Sequence, residues 1–149
     1  MKTKLFFTTL FILFIFINII PACQNREKIA LKDLPITAQT FIDDYFSLDS
    51  ITSITTDTHG RTYEITFLNR GKISFNQQGL WQEIDVEKSP FPIALFDILP
   101  AKIFSYLIAT YPTEAVTTLR KTSYGYEIEI GFSQKLKLQF DDQGVVMKK

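Results

Sequence analysis

One cysteine, one histidine and one tryptophan in 149 residues exclude a good deal of chemistry at the outset. Cys23 has no second thiol to pair with, so no disulfide closes within the chain, and stability has to come from packing. His59 has no second His or Cys to complete a zinc site or a Cys–His nucleophile, and its setting, Thr58-His59-Gly60-Arg61, reads as a solvated turn. The six glycines are scattered, and none belongs to a phosphate-cradling loop. An excess of either charge is also missing. Sixteen basic residues balance sixteen acidic ones, and with Lys2 and Lys4 in the leader described below, fourteen face sixteen, a net charge of about −2. That leaves no electrostatic footprint for nucleic acid. Paired carboxylates occur at Asp43-Asp44 and Asp141-Asp142. The second pair occupies a turn slot that the chain fills elsewhere with Asn76-Gln77, so the slot asks for turn formers and not for charge. These absences predict no cofactor and no metal, and they place an enzyme behind a binding protein.

What is present begins with an address. Lys2 and Lys4 precede an almost unbroken apolar run from Leu5 to Ile20, rich in Phe and Ile, that ends at Pro21 and Ala22. A spanning helix needs roughly 20 apolar residues, and this run stops short, so residues 1–22 read as a secretory leader. Ile20-Pro21-Ala22-Cys23 resembles a bacterial lipobox, in which the cysteine is acylated and the leader is cut just before it. Ile20 and Pro21 depart from the usual pattern, and the alternative is a plain signal peptide with an incidental cysteine. The resemblance implies lipidation at Cys23, a membrane partner through that lipid, and a polar tether over residues 23–28. Gln24 stands where enteric lipoproteins carry the aspartate that retains them in the inner membrane. That implies an outer-membrane anchor, with the domain facing either the periplasm or the surface.

The remainder repeats itself. Ile29-Ala30-Leu31-Lys32-Asp33-Leu34-Pro35 returns as Ile93-Ala94-Leu95-Phe96-Asp97-Ile98-Leu99-Pro100, Tyr63-Glu64-Ile65 as Tyr126-Glu127-Ile128, and Phe75 with Gly79 as Phe140 with Gly144. Three motifs in the same order, about 65 residues apart, indicate two copies. Pro35 and Pro100 each suit the first turn of a helix, where a missing N–H costs nothing. Ala38, Phe41, Ile42 and Tyr45 then form one helical stripe. In the second copy Ile103, Phe104, Tyr106, Leu107 and Ile108 form a wider one, which predicts a more buried helix ended by Pro112. Strands are predicted from Ile51, Thr62, Lys72 and Leu80 onward, and again from Val116, Tyr124, Lys135 and Val145 onward. Phe67 is placed opposite Ile73 and Ile65 opposite Phe75, with Gly71 left-handed in the loop. Ile130 is placed opposite Leu136, Ile128 opposite Leu138, and Glu129 opposite Lys137 with Glu127 on the diagonal. Gly79 and Gly144 close hairpin turns and are expected at positive φ.

The expected fold is therefore α+β, two tandem repeats of a helix packed on a four-stranded antiparallel sheet, each too small to stand alone and so docked on the other, most simply as one extended sheet. Residues 29–87 form the first copy, 88–92 a proline-stiffened linker and 93–149 the second copy. Leu34-Pro35, Tyr63-Glu64-Ile65, Phe75-Asn76-Gln77-Gln78-Gly79 and Trp81, with their second-copy counterparts ending in Phe140-Asp141-Asp142-Gln143-Gly144, resemble the PepSY-like, β-lactamase-inhibitor-like domain proteins of Bacteroidetes envelopes. The resemblance implies a non-enzymatic envelope protein that binds or inhibits another protein or a peptide. Inhibition of a β-lactamase is not carried over, because inhibitors of this architecture hold a disulfide in each repeat. An open sheet face is the expected recognition surface, with Trp81, Tyr124 and Phe132 as candidate contacts. Trp81 is also read as packing on Phe75 at the core edge. A structural lipoprotein with no ligand, a small-ligand binder and an enzyme stand as alternatives.

Overall fold

Pro35 and Pro100 stand immediately before the two α-helices of the computed structural model, which describes residues 26–46, 51–68, 71–86 and 91–148. Proline's fixed φ and absent N–H suit that boundary, and helices α1 (Ile36–Tyr45) and α2 (Ala101–Thr110) follow. Short 3₁₀ segments, Leu31–Asp33 and Ile93–Ile98, lead into them. Helix α1 buries Ala38 and Ile42, while α2 buries Ile103 and Leu107. The wider stripe of α2 is not more buried: Ile108 is 54% exposed. One residue past Leu107, it lies about 100° further round the helix, beyond the face that meets the sheet. Both helices end in the same bond, Phe46 N–H to the Ile42 carbonyl and Tyr111 N–H to the Leu107 carbonyl, and Pro112 prevents α2 from continuing.

The strands are β1 (Arg26–Lys28), β2 (Ile51–Asp57), β3 (Thr62–Phe67), β4 (Gly71–Asn76), β5 (Trp81–Asp85), β6 (Val116–Thr122), β7 (Gly125–Ile130), β8 (Leu136–Asp141) and β9 (Val146–Lys148). They form one continuous sheet in chain order, antiparallel at every step. The two four-stranded units are not separate sheets: the β5–β6 pairing, in which Glu83 faces Arg120, Ile84 faces Leu119 and Asp85 faces Thr118, joins them into the one extended sheet expected of them. An antiparallel edge left open after β5 offers unpaired N–H and C=O groups, and β6 satisfies them. A correction falls on the tether, because Arg26–Lys28 add an edge strand along β2.

Alternation sorts the side chains onto two faces. Ile54, Ile65, Ile73, Phe75, Ile84, Leu119, Ile128, Leu138 and Phe140 are buried beneath the helices. Phe41 meets Phe75 edge-on at 5.6 Å and Tyr106 meets Phe140 edge-on at 5.5 Å. In the β7–β8 hairpin Ile130 pairs with Leu136, Ile128 with Leu138 and Glu129 with Lys137, as expected. The β3–β4 register is corrected by two residues: Phe67 faces Gly71, Ile65 faces Ile73 and Tyr63 faces Phe75. A slip of two returns every side chain to the same face, so apolar alternation could not distinguish the two registers. Gly71, Gly79 and Gly144 are all left-handed, with φ of 76°, 78° and 77°.

The meander gives the sheet two unlike ends. The β2–β3, β4–β5, β6–β7 and β8–β9 turns share one end with the helix N-termini, Gly79 lying against Pro35 and Gly144 against Pro100. The β3–β4 and β7–β8 loops lie at the other end with the helix C-termini. These are called the turn end and the loop end.

Candidate binding surfaces

The helix-free face carries a ladder of ion pairs. Glu64 on β3 is 3.4 Å from both Arg26 and Lys72. Arg120 on β6 reaches across to Glu83 on β5 with two bonds, Nε to Oε2 at 3.1 Å and Nη2 to Oε1 at 2.8 Å, and its Nη1 donates to Glu127 Oε1 at 2.6 Å. Lys137 bonds the same Glu127 oxygen at 3.0 Å, and Lys135 bonds Glu129 at 3.2 Å. Burial would push the Glu127 carboxyl up. Lys137, Gln139 and Arg120 outweigh that and hold it below the usual glutamate range. The Glu83 bond raises the Arg120 pKa further above its already high value. Each of these carboxylates is engaged, so the face is a closed polar network and not the open aromatic platform expected of it.

Of the three aromatic candidates, Tyr124 touches this network: its hydroxyl accepts from Gln139 Nε2 at 3.0 Å and lies 3.5 Å from Glu127 Oε2. Trp81 faces the helix side. It pairs with Phe75 across β4–β5 and stacks on Tyr126 at 6.3 Å, half-buried. The β4–β5 register shifts beside this pair, between Ser74 and Phe75. It therefore packs the core and ties β5 to the later strands.

Phe132 is different. It is 50% exposed on the β7–β8 loop, where it lines an open concavity of about 450 Å³ with Tyr111, Glu114, Ile130, Gly131, Ser133, Gln134 and Leu136. A second concavity of about 280 Å³ continues along α2, lined by Phe91, Phe96, Phe104, Leu107, Ile108 and Pro112 among others. Tyr111 and Glu114 belong to both, so the two read as one groove at the loop end. Its walls are pinned. Gly131 N–H donates to the Ala115 carbonyl at 2.8 Å, and Phe91, Phe96 and Phe104 meet in series as tilted rings at 5.3 and 4.8 Å. Glu114 is the one carboxylate lining both parts, on a largely apolar and aromatic surface that also includes Ser133 and Gln134. Sequence reasoning singled out Phe132 and missed the rest. The signal was the helix comparison: where α2 has Phe104 and Ile108, α1 has Gln39 and Asp43, 65 residues earlier.

The polar motifs fall where turn chemistry puts them. Asp141 Oδ1 accepts from the Gln143 and Val145 N–H groups at 3.0 and 2.8 Å, and Asn76 Oδ1 accepts from Gln78 and Leu80 at 3.0 and 2.9 Å. His59 bonds its neighbour Thr58 at 3.0 Å. In the same turn the Arg61 N–H on Asp57, ahead of its other contacts, lowers that carboxyl. Among the described residues no three His, Cys, Asp or Glu side chains converge on a metal position, and no helix is long and apolar enough to cross a membrane. Cys23 and the leader lie outside the described residues.

A single antiparallel sheet, backed by helices on one face, is the frame that solved relatives share, and here it carries a groove at its loop end. The chain belongs to the family described as "Putative beta-lactamase-inhibitor-like, PepSY-like", whose model matches residues 61–148. That match runs from the β2–β3 turn to β9 and crosses the 88–92 linker. Solved relatives share the fold over nearly their whole length. A periplasmic protein of the DUF2874 family from Bacteroides vulgatus is 27% identical, with a TM-score of 0.72 over 85% of this chain and 97% of its own. A protein from Bacteroides thetaiotaomicron, described as a "putative calcium-regulated periplasmic protein", is 30% identical, with a TM-score of 0.71 over 83% of this chain and 94% of its own. A second Bacteroides vulgatus periplasmic protein, 24% identical with a TM-score of 0.70 over 83% and 97%, shows the same fold. No curated protein matches the chain. The chain is thus a non-catalytic periplasmic protein of the cell envelope.

Proposed function

We propose that this protein is an outer-membrane lipoprotein, acylated at Cys23, which binds or inhibits another envelope protein by taking an extended apolar segment of it into the groove at the loop end. The observation that carries this reading is the groove itself. Phe132 and Ile108 stand exposed along it, the Phe91, Phe96 and Phe104 series backs it, and one carboxylate, Glu114, borders it. Apolar anchors seated in such a surface, with a charge at the rim to set register, are how short segments are held. A structural lipoprotein with no ligand has no use for a concave aromatic surface. Calcium regulation, the description of one relative, is not carried over, since no cluster of carboxylates converges among the described residues.

Affinity capture from envelope extract tests the groove, with residues 24–149 as bait beside Phe132→Glu and Phe104→Glu variants. The expected result is a partner retained by the native bait and lost from both variants; equal capture by all three sinks the groove. The anchor has its own test. Cys23→Ala is expected to release the protein from the membrane fraction or to leave its leader uncut, and a cut variant that stays with the outer membrane overturns acylation. We further propose that the two halves arose by duplication. Support comes from the matched edge-on pairs Phe41–Phe75 and Tyr106–Phe140, and from the like packing of Gly79 on Pro35 and Gly144 on Pro100.

A further inference from the structure

The geometry points to a fixed orientation on the membrane: we infer that the turn end lies against the bilayer carrying the anchor, and that the groove opens away from it. This rests on the reading of Cys23 as the membrane attachment. Exposed apolar side chains gather at both ends of the strands, Ile36, Leu80 and Val145 at the turn end and Ile108, Phe132 and Leu136 at the loop end. Apolarity alone therefore does not decide which end meets lipid.

The path of the chain decides it. Strand β1 opens at Arg26, opposite Asp57, the last residue of β2, so the N-terminal segment enters at the turn end. Cys23 is three Cα steps of about 3.8 Å away, a reach of at most ~11 Å. The groove lies a full strand length further, about 20 Å for six residues, and β7 is six strand spacings of about 4.8 Å from β1. A lipid on so short a leash holds the turn end at the headgroups and the groove clear of them.

The turn end is built to suit that contact. Gly79 packs on Pro35, Thr37 and Ala38 at the start of α1, and the exposed Leu80 follows it directly. Gly144 packs on Pro100 and Lys102 and presents Val145 in the same way. Tyr124, exposed in the β6–β7 turn with its hydroxyl bonded to Gln139, has the apolar body and polar tip that favour the lipid interface. Arg61, ion-paired with Asp57 at 3.4 Å, and Lys102 are exposed on the same end, with Asp142 in the β8–β9 turn beside them. Apolar side chains rimmed by charged groups, Lys102 among them, can sit at a lipid interface.

The test couples the single thiol of the mature chain, Cys23, to vesicles of phosphatidylcholine containing a maleimide lipid, with either plain or brominated acyl chains. Bromine quenches tryptophan emission at short range. In a Trp81→Phe background, Leu80→Trp is expected to lose most of its emission on brominated vesicles, while Phe132→Trp keeps its own. Val145→Trp repeats the measurement at the second turn should Leu80→Trp fail to fold. Emission from the turn-end tryptophan that is the same on both vesicles, or stronger quenching at Phe132→Trp, overturns the orientation. Because the coupling supplies the anchor chemically, neither result depends on whether the cell acylates Cys23, which fractionation of Cys23→Ala decides.

Discussion

A methyl group at Gly79 would sit 2.8 Å from Pro35 Cβ and 2.9 Å from the Ala38 nitrogen, and one at Gly144 would sit 2.9 Å from Pro100 Cβ. Each glycine also holds φ near +78°, which costs a residue with a side chain roughly 1–2 kcal/mol before any clash is counted. Gly79→Ala and Gly144→Ala are therefore each expected to destabilise by about 2 kcal/mol or more, a fall in melting temperature of roughly 5–10 °C. Thermal melts check this, and unchanged melting temperatures would mean that the turns relax freely. The left-handed turn was legible in the sequence, because glycine after Asn76-Gln77-Gln78 and after Asp141-Asp142-Gln143 is how a chain marks positive φ. The second task of these glycines, seating the turn against a helix N-terminus, was not, since contact with Pro35 or Pro100 is a tertiary fact. Trp81 shows the same limit. Its apolar, half-buried character could be read, but its partner, Tyr126, lies across two further strand pairings.

At the scale of elements, Arg120 is where two strands from different halves are fastened. Its fork spans β5 and β6 at Glu83 and continues to Glu127 on β7. Arg120→Met keeps much of the packing and leaves two carboxylates short of a partner. Its side chain is 39% exposed, so the loss at neutral pH is expected to be modest, about 1–2 kcal/mol. The sign with pH follows from Glu127. Its folded pKa is depressed, so its contribution is complete above the ordinary glutamate pKa and is lost as pH falls through the lower folded value. Denaturant melts of the native chain and Arg120→Met should accordingly differ at pH 7 and draw together as the pH is lowered into the acid range, whereas a gap that stays the same would assign the loss to packing. Element positions were legible almost to the residue, because alternation, proline and glycine mark strand and helix limits locally. The β3–β4 register and the edge strand β1 were not. A two-residue slip leaves the apolar pattern unchanged, and three charged or polar residues, Arg26-Glu27-Lys28, carry no alternation to read.

The whole molecule is one sheet, and that has a consequence for its folding unit. The family match over residues 61–148 crosses the linker, as does the sheet. A module of about 60 residues buries only about 60% of the surface that its unfolded chain exposes. Each half here also relies on the other. Ile84 and Leu119, fully buried, face each other across β5–β6, Trp81 covers Tyr126, and Glu83 binds Arg120. Cutting at the linker would expose this seam as two long, partly apolar edges, which invite self-association. Residues 24–87 and 93–149 expressed separately are therefore expected to be largely unfolded or aggregated, whereas the intact domain melts in one cooperative transition. Mixed in equal amounts, the halves should recover that transition, because the β5–β6 edges are complementary in register and in charge. Calorimetry of the separate halves, the mixture and the intact chain distinguishes the outcomes. A half that melts alone as sharply and as high as the whole would show that the copies are independent domains that merely touch, and the continuous core would then contribute little to stability.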